Sequence, residues 1–142
     1  MEALNLRTRK CEPLDLKQDG ARWFDELHEL KGIGNRVYAR PRSSCFGVVD
    51  AVMQPNILLQ YTVSPNHRNM AAVTLSKLRA SLRGHEPLLV WIVPMSKFIR
   101  DRFPYQAGFG DLKQVAVYLD FDGFKVRFTR SCVEIRGGEA ER

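Results

Sequence analysis

The sequence predicts an α/β fold in which helices pack on a mixed β-sheet. Three short apolar segments follow one another, which favours an antiparallel meander, and the amphipathic segment after them provides a crossover to another strand. The runs 57–59 and 88–93 are continuously apolar, as is typical of strands that are buried on both faces. The predicted order of elements is helix, strand, strand, strand, helix, strand, helix, strand.

The first half of this order rests on local patterns. Residues 1–20 lack sustained periodicity and are predicted to form a flexible N-terminal arm. Apolar side chains recur at helical spacing over 21–31, and glycines end this helix at residues 32 and 34. Strands are predicted at 36–40, 46–53 and 57–63, with a turn at Pro55 and Asn56 between the last two.

The second half continues in the same way. A helix capped by Asn66 or Asn69 is predicted to run to about residue 83, where Gly84 ends it. A strand at 88–93 and a short helix at 96–102 follow. A strand at 115–119 comes next, and segments 124–128 and 132–135 add a hairpin or edge. Residues 21–136 form one predicted α/β domain, and residues 137–142 form a disordered tail.

Bulk composition limits the classes of protein that the chain can represent. Its 142 residues fit one domain, and 44% hydrophobic with 27% charged residues is typical of an ordered globular protein. The apolar runs are too short to span a bilayer, so no membrane partner is expected, and the first residues do not predict a signal peptide. A net charge of +6 suits a polyanionic partner.

The three cysteines are Cys11, Cys45 and Cys132, and they are widely spaced without any CxxC pair. This pattern predicts neither a disulfide framework nor a zinc site. It favours a reducing compartment.

An acidic residue inside an apolar strand marks the candidate site. Asp50 lies between valines and alanine, and Gln60 and Thr62 share a face of the next strand that the turn can bring beside it. Mg²⁺ prefers oxygen ligands, so the Asp50 carboxylate and Gln60 amide predict a metal site, to which Glu26 or Glu29 adds a second carboxylate. The alternatives are that Asp50 bonds Gln60 or a turn backbone, and that the glutamates solubilise their helix.

Basic residues near this site are candidate contacts for nucleic acid. His67 and Arg68 stand at the predicted start of the second helix, where backbone N–H groups favour phosphate. Lys77 lies on that helix, and Arg40 flanks a strand that can line a groove for the nucleic-acid backbone. A solvated surface explains the same residues. Trp23 falls in the core phase of the first predicted helix, which disfavours stacking on bases.

Three blocks of sequence occur in order: FGVVDAV at 46–52, LLQYTVS at 58–64 followed by His67, and VWIVP at 90–94 followed by Phe98. Over about residues 21–121 the chain resembles the carboxy-terminal domains of Crinkler and retrotransposon hot spot proteins. Those domains are similar to restriction endonucleases of the PD-(D/E)xK class. The resemblance implies a restriction-endonuclease-like sandwich, a central mixed sheet with an αβββαβ core.

The resemblance also implies catalytic positions. In that nuclease class an aspartate on the second strand and an acidic-x-lysine pair on the third bind Mg²⁺ and activate water. Asp50 matches the aspartate, whereas Gln60 and Thr62 replace the acidic residue and the lysine, and Val49 replaces the usual proline. The implied function is a nuclease-fold effector domain that binds or cleaves DNA or RNA with a divalent metal in the nucleus of a host cell or of the parent cell. The alternative is a catalytically inactive module that binds a host protein.

Overall fold

The computed structural model describes residues 1–43, 49–62, 72–94, 103–122 and 125–128. These residues form one mixed sheet of nine strands, with one 3₁₀ helix and one α-helix, so the α/β class is confirmed. The strands are β1 (Glu2–Asn5), β2 (Cys11–Pro13), β3 (Gly20–Phe24), β4 (Val37–Pro41), β5 (Ala51–Met53), β6 (Ile57–Tyr61), β7 (Leu88–Pro94), β8 (Lys113–Asp122) and β9 (Lys125–Phe128). The 3₁₀ helix spans Leu27–Gly32 and helix α1 spans Ala72–Ser81.

The strand order in the sheet is β2-β1-β8-β7-β6-β5-β4-β3, and β9 pairs with β8. Strands β4, β5 and β6 form an antiparallel meander, as the sequence predicts. Strands β6, β7 and β8 are parallel neighbours. Helix α1 lies in the connection from β6 to β7, because two parallel strands need a crossover between them.

The two faces of the sheet carry separate apolar cores. On the face that we call the helix side, alternate strand residues pack against α1 and the 3₁₀ helix. Leu75 and Leu78 of α1 join this core, and so does Leu82, which directly follows the helix. The core on the other face, the far side, contains Ala3, Ala51, Met53, Leu59, Val90, Ile92, Val115 and Val117, with Leu14 and Leu16 packed against it.

The amino-terminal residues differ from the predicted arm. They form β1 and β2, and β1 pairs antiparallel with β8. Ala3, Leu4 and Leu6 are buried, so this segment is part of the core. A strand of only four residues is too short to show a periodic pattern in the sequence. Its formation depends on pairing with β8, which is a tertiary interaction.

The helix predicted over 21–31 is also wrong. Its first part is β3, which pairs with β4 in parallel, and its second part is the 3₁₀ helix. In a strand adjacent side chains face opposite ways, so Phe24 is buried while Trp23 is exposed. Pairing with β4 therefore overrides the helical spacing of the apolar residues: Phe24, Leu27 and Leu30 still pack in the helix-side core, whereas Trp23 does not.

Cys11 is disulfide-bonded, so the prediction of a chain without disulfides is wrong at this position. Spacing along the sequence carries no information about which cysteines the fold brings within bonding distance. The described helices fall short of the length and apolar character that a membrane span requires. The predicted segments 63–71, 96–102 and 132–135 and the tail 137–142 lie outside the described residues.

Candidate functional site

A bulge at the start of β5 determines where Asp50 points. The register pairs Ala51 with Leu59, yet the Asp50 N–H also donates to the Leu59 carbonyl, at 3.0 Å. Two consecutive residues therefore face one residue of β6, which is the pattern of a β-bulge. The apolar neighbours agree, because Val49 packs on the helix side whereas Ala51 packs on the far side. The extra residue places Asp50 among far-side neighbours.

The Asp50 carboxylate completes the pairing of the two strands. Its Oδ2 accepts a hydrogen bond from the backbone N–H of Tyr61 at 2.8 Å. Within the described part of the chain this N–H is the one hydrogen-bond donor to the carboxylate. The bond explains why an acidic residue interrupts an apolar run.

A cleft of about 420 Å³ lies on the far side, and the described residues that line it are Tyr38, Arg40, Asp50 and Tyr61. The hydroxyl oxygens of Tyr38 and Tyr61 lie 2.9 Å apart and share a hydrogen bond. Burial raises the pKa of Tyr38 above its usual value, and the hydrogen bond from Tyr61 adds to this effect. Tyr38 therefore stays a neutral hydroxyl, able to donate or accept a hydrogen bond, throughout the physiological pH range.

An aromatic side chain extends the cleft toward the edge of the sheet. Trp23 on β3 stands opposite Arg40 on β4, and the Arg40 guanidinium carbon lies 5.1 Å from the centre of a Trp23 ring. The Trp23 residue is 53% exposed. Because Tyr38 and Arg40 are two residues apart on one strand, they point to the same face. We call Trp23, Tyr38, Arg40 and Tyr61 the aromatic surface.

Gln60 and Thr62 do not join this surface. They alternate with Tyr61 along β6 and share the phase of Leu58, whose side chain packs on the helix side. Gln60 is half-buried and Thr62 is 9% exposed. The bulge moves Asp50 out of phase with them, so the predicted grouping of three residues on one face is not formed.

Glu26 and Glu29 lie at the start of the 3₁₀ helix, away from the cleft. Glu29 Oε2 accepts hydrogen bonds from the backbone N–H groups of Asp25 and Glu26, both at 2.6 Å. These two bonds lower the pKa of the Glu29 carboxyl. Through Leu30 the 3₁₀ helix packs on the helix side of the sheet. The described residues contain no group of three or more His, Cys, Asp or Glu side chains placed to hold a metal ion.

The predicted basic contacts have different positions. Arg40 lines the cleft, whereas Lys77 is an exposed residue of α1. His67 and Arg68 lie outside the described residues. Sequence reasoning missed the side chains of Trp23, Tyr38 and Tyr61. A strand at 20–24 would place Trp23 and Phe24 on opposite faces, but the register that sets Trp23 beside Arg40 is given only by the structure.

The chain was compared with protein-family models, with curated proteins and with solved structures, and none of the three comparisons gives a match.

Proposed function

We propose that this chain is a nucleic-acid-binding domain and that the nucleic acid lies across the Asp50 cleft. The observation that carries the proposal is that Arg40, two tyrosine hydroxyls and the Trp23 ring share the far side of the sheet. Arginine and tyrosine hydroxyls are common partners of phosphate oxygens, and aromatic rings stack on bases. The net charge of +6 favours a polyanion over a neutral ligand.

The arrangement of strands supports a restriction-endonuclease-like core as part of this proposal. Strands β4 to β8 are adjacent in chain order, with β5 antiparallel to its neighbours and α1 between β6 and β7. Asp50 precedes β5 and contacts the end of β6, which agrees with the position of the class aspartate. The resemblance to Crinkler and retrotransposon hot spot domains supports an effector that acts on nucleic acid in the nucleus.

The proposal concerns binding, because the predicted magnesium ligands do not converge. Among the described residues the cleft contains Asp50, while Gln60 has the phase of the helix side and Glu29 uses its carboxylate in backbone hydrogen bonds. One carboxylate with water and phosphate oxygens is the minimum that Mg²⁺ accepts in proteins. The predicted set of four ligands is not assembled in the cleft, and Asp50 alone reaches only this minimum, so the proposal is limited to binding.

Fluorescence anisotropy with labelled DNA and RNA at several salt concentrations tests the proposal. We expect binding that weakens as salt rises, and Arg40→Gln should weaken it and reduce the salt slope by about 0.7 to 0.9. Lys77→Gln is the matched control, since it removes the same charge from an exposed position on α1. Its binding should change less than that of Arg40→Gln.

Two results would count against the proposal. If Arg40→Gln and Lys77→Gln lose affinity equally, the cleft is not the binding site. If salt-sensitive binding is absent altogether, the catalytically inactive, protein-binding alternative is favoured. Incubation of the same nucleic acids with Mg²⁺ or Mn²⁺ tests cleavage separately, with Asp50→Asn as the comparison.

A further inference from the structure

We infer that the aromatic surface selects unpaired nucleic acid, with a base stacked on Trp23 and the adjoining phosphate near Arg40. This inference rests on the proposed function and names its substrate class. It goes beyond general charge attraction, because duplex and single strand both carry phosphates but only the single strand offers open base faces.

The first observation is the exposure of Trp23 in a chain whose other tryptophan is fully buried. Trp91 is 0% exposed, and its Nε1–H donates to Gln114 Oε1 at 3.1 Å inside the helix-side core. Trp23 is 53% exposed in the edge strand β3. Tryptophan is highly buried on average, so an exposed one on a strand indicates a surface that binds something apolar and flat.

The second observation is that the ring already has a planar cationic partner. The Arg40 guanidinium lies over the Trp23 ring at 5.1 Å, and strand pairing fixes the two residues opposite each other. A guanidinium held in this way has less side-chain freedom to lose on binding, which favours affinity. With one face of the indole under the guanidinium, the exposed remainder is open to a base.

The third observation is that the surface continues along the sheet. Tyr38 follows Arg40 by two positions on β4, a separation of about 6.6 Å along the strand. Its hydroxyl is hydrogen-bonded to that of Tyr61, and Asp50 lines the same cleft. A flexible single strand can turn its bases toward these side chains. In a duplex the base faces are covered by neighbouring pairs, so a ring lying on a flat sheet cannot reach them.

Titration with short oligo(dT), oligo(U) and a duplex of equal length tests this inference. We expect the single strands to bind more tightly than the duplex and to quench tryptophan emission. Trp23→Ala should weaken single-strand binding about 5- to 150-fold, which is the range that stacking on one base contributes. Trp23→Phe should retain much of the affinity. Val73→Ala, at a residue that is 63% exposed on α1, is the control for loss of an exposed apolar side chain.

The outcomes separate this inference from the proposed function. The selection of unpaired bases is overturned if the duplex binds as tightly as the single strand, if this binding depends on Arg40, and if Trp23→Ala leaves it unchanged. Nucleic-acid binding itself would still stand. Absence of binding to all three ligands overturns both. Circular dichroism of Trp23→Ala should match the unsubstituted protein, because the replaced side chain is exposed.

Discussion

The carboxylate of Asp50 accepts a hydrogen bond from the backbone N–H of Tyr61 at 2.8 Å. In a regular sheet the acceptor for such an N–H is a backbone carbonyl of the neighbouring strand. The bulge at Asp50 supplies the extra residue that makes the substitution possible. One bond thus holds the end of β6 and orients Tyr61 beside Tyr38. Asp50 also lines the cleft, so its contribution to stability and its contribution to binding need separate tests.

Replacement of Asp50 should separate these contributions. Asp50→Ala removes the acceptor of the Tyr61 N–H and should lower the free energy of unfolding by about 1 kcal/mol, below the usual range for a charged acceptor because the site is exposed to water. Asp50→Asn retains an acceptor oxygen and should lose less. Urea denaturation measures both. Equal destabilisation by the two variants would contradict the hydrogen-bonding role.

The pKa of Tyr38 predicts a dependence of stability on alkaline pH. Burial and the bond to Tyr61 raise this pKa above the ordinary value of about 10. The neutral form is therefore favoured by folding, so the stabilisation is complete below about pH 10 and is lost as pH rises through the folded-state pKa. Tyr38→Phe should remove this loss in denaturation measured across alkaline pH.

A second tyrosine variant checks the cause. Tyr61→Phe deletes the hydroxyl partner, so Tyr38 should ionise at a lower pH than in the unsubstituted protein, as followed by ultraviolet difference spectroscopy. Tyr105→Phe is a suitable control, because the Tyr105 hydroxyl bonds Arg7 rather than Tyr38. An unchanged Tyr38 titration in Tyr61→Phe would leave burial as its sole cause.

The central part of the fold could be predicted because its signals are local. Continuous apolar runs predict β6 and β7, and Pro55 and Asn56 predict the turn between β5 and β6. The meander and its crossover follow from the order of these elements. The periphery could not be predicted in this way. Strand β1 becomes stable only beside β8, more than a hundred residues later, and β3 only beside β4. Pairing over such separations leaves no periodic signal in a segment of four or five residues.

Of the predicted site residues that the structure describes, Asp50 and Arg40 line the cleft, whereas Gln60 and Thr62 have the phase of the other face. Asp50 stands out in the sequence, and its neighbourhood at the end of β6 follows from the turn. The bulge, however, adds one residue at the start of β5, so Asp50 lies on the opposite face from the one that the sequence predicts. Tyr61, rather than Gln60, therefore lies at the carboxylate. Trp23 is a related case. The helical spacing predicts its side chain in the core, whereas the alternation of a strand places it on the exposed surface.

Gln114 should be essential for stability although it is far from the cleft. This buried amide is 2% exposed; its Oε1 accepts Trp91 Nε1–H and Gln106 N–H, and its Nε2 donates to the Gln106 carbonyl. Gln114→Leu removes the partner atoms of three polar groups and should cost about 3 kcal/mol or more in unfolding free energy. Gln18→Leu, at an exposed position, should stay within about 0.5 kcal/mol. Similar denaturation midpoints for both variants would contradict this network's contribution.

Gly84 is required by close packing between the end of helix α1 and the turn before β6. A Cβ at this position would lie 2.8 Å from Asn56 Cβ and 3.0 Å from the Pro55 carbonyl oxygen, which accepts the Gly84 N–H at 2.8 Å. Gly84→Ala must therefore displace backbone, and we expect a loss of about 1 to 3 kcal/mol by thermal or urea denaturation. Gly32→Ala is the matched control, because a Cβ there meets nothing within 4 Å. It should be neutral or stabilise by reducing the freedom of the unfolded chain, and equal losses at the two glycines would show that close packing is not the cause.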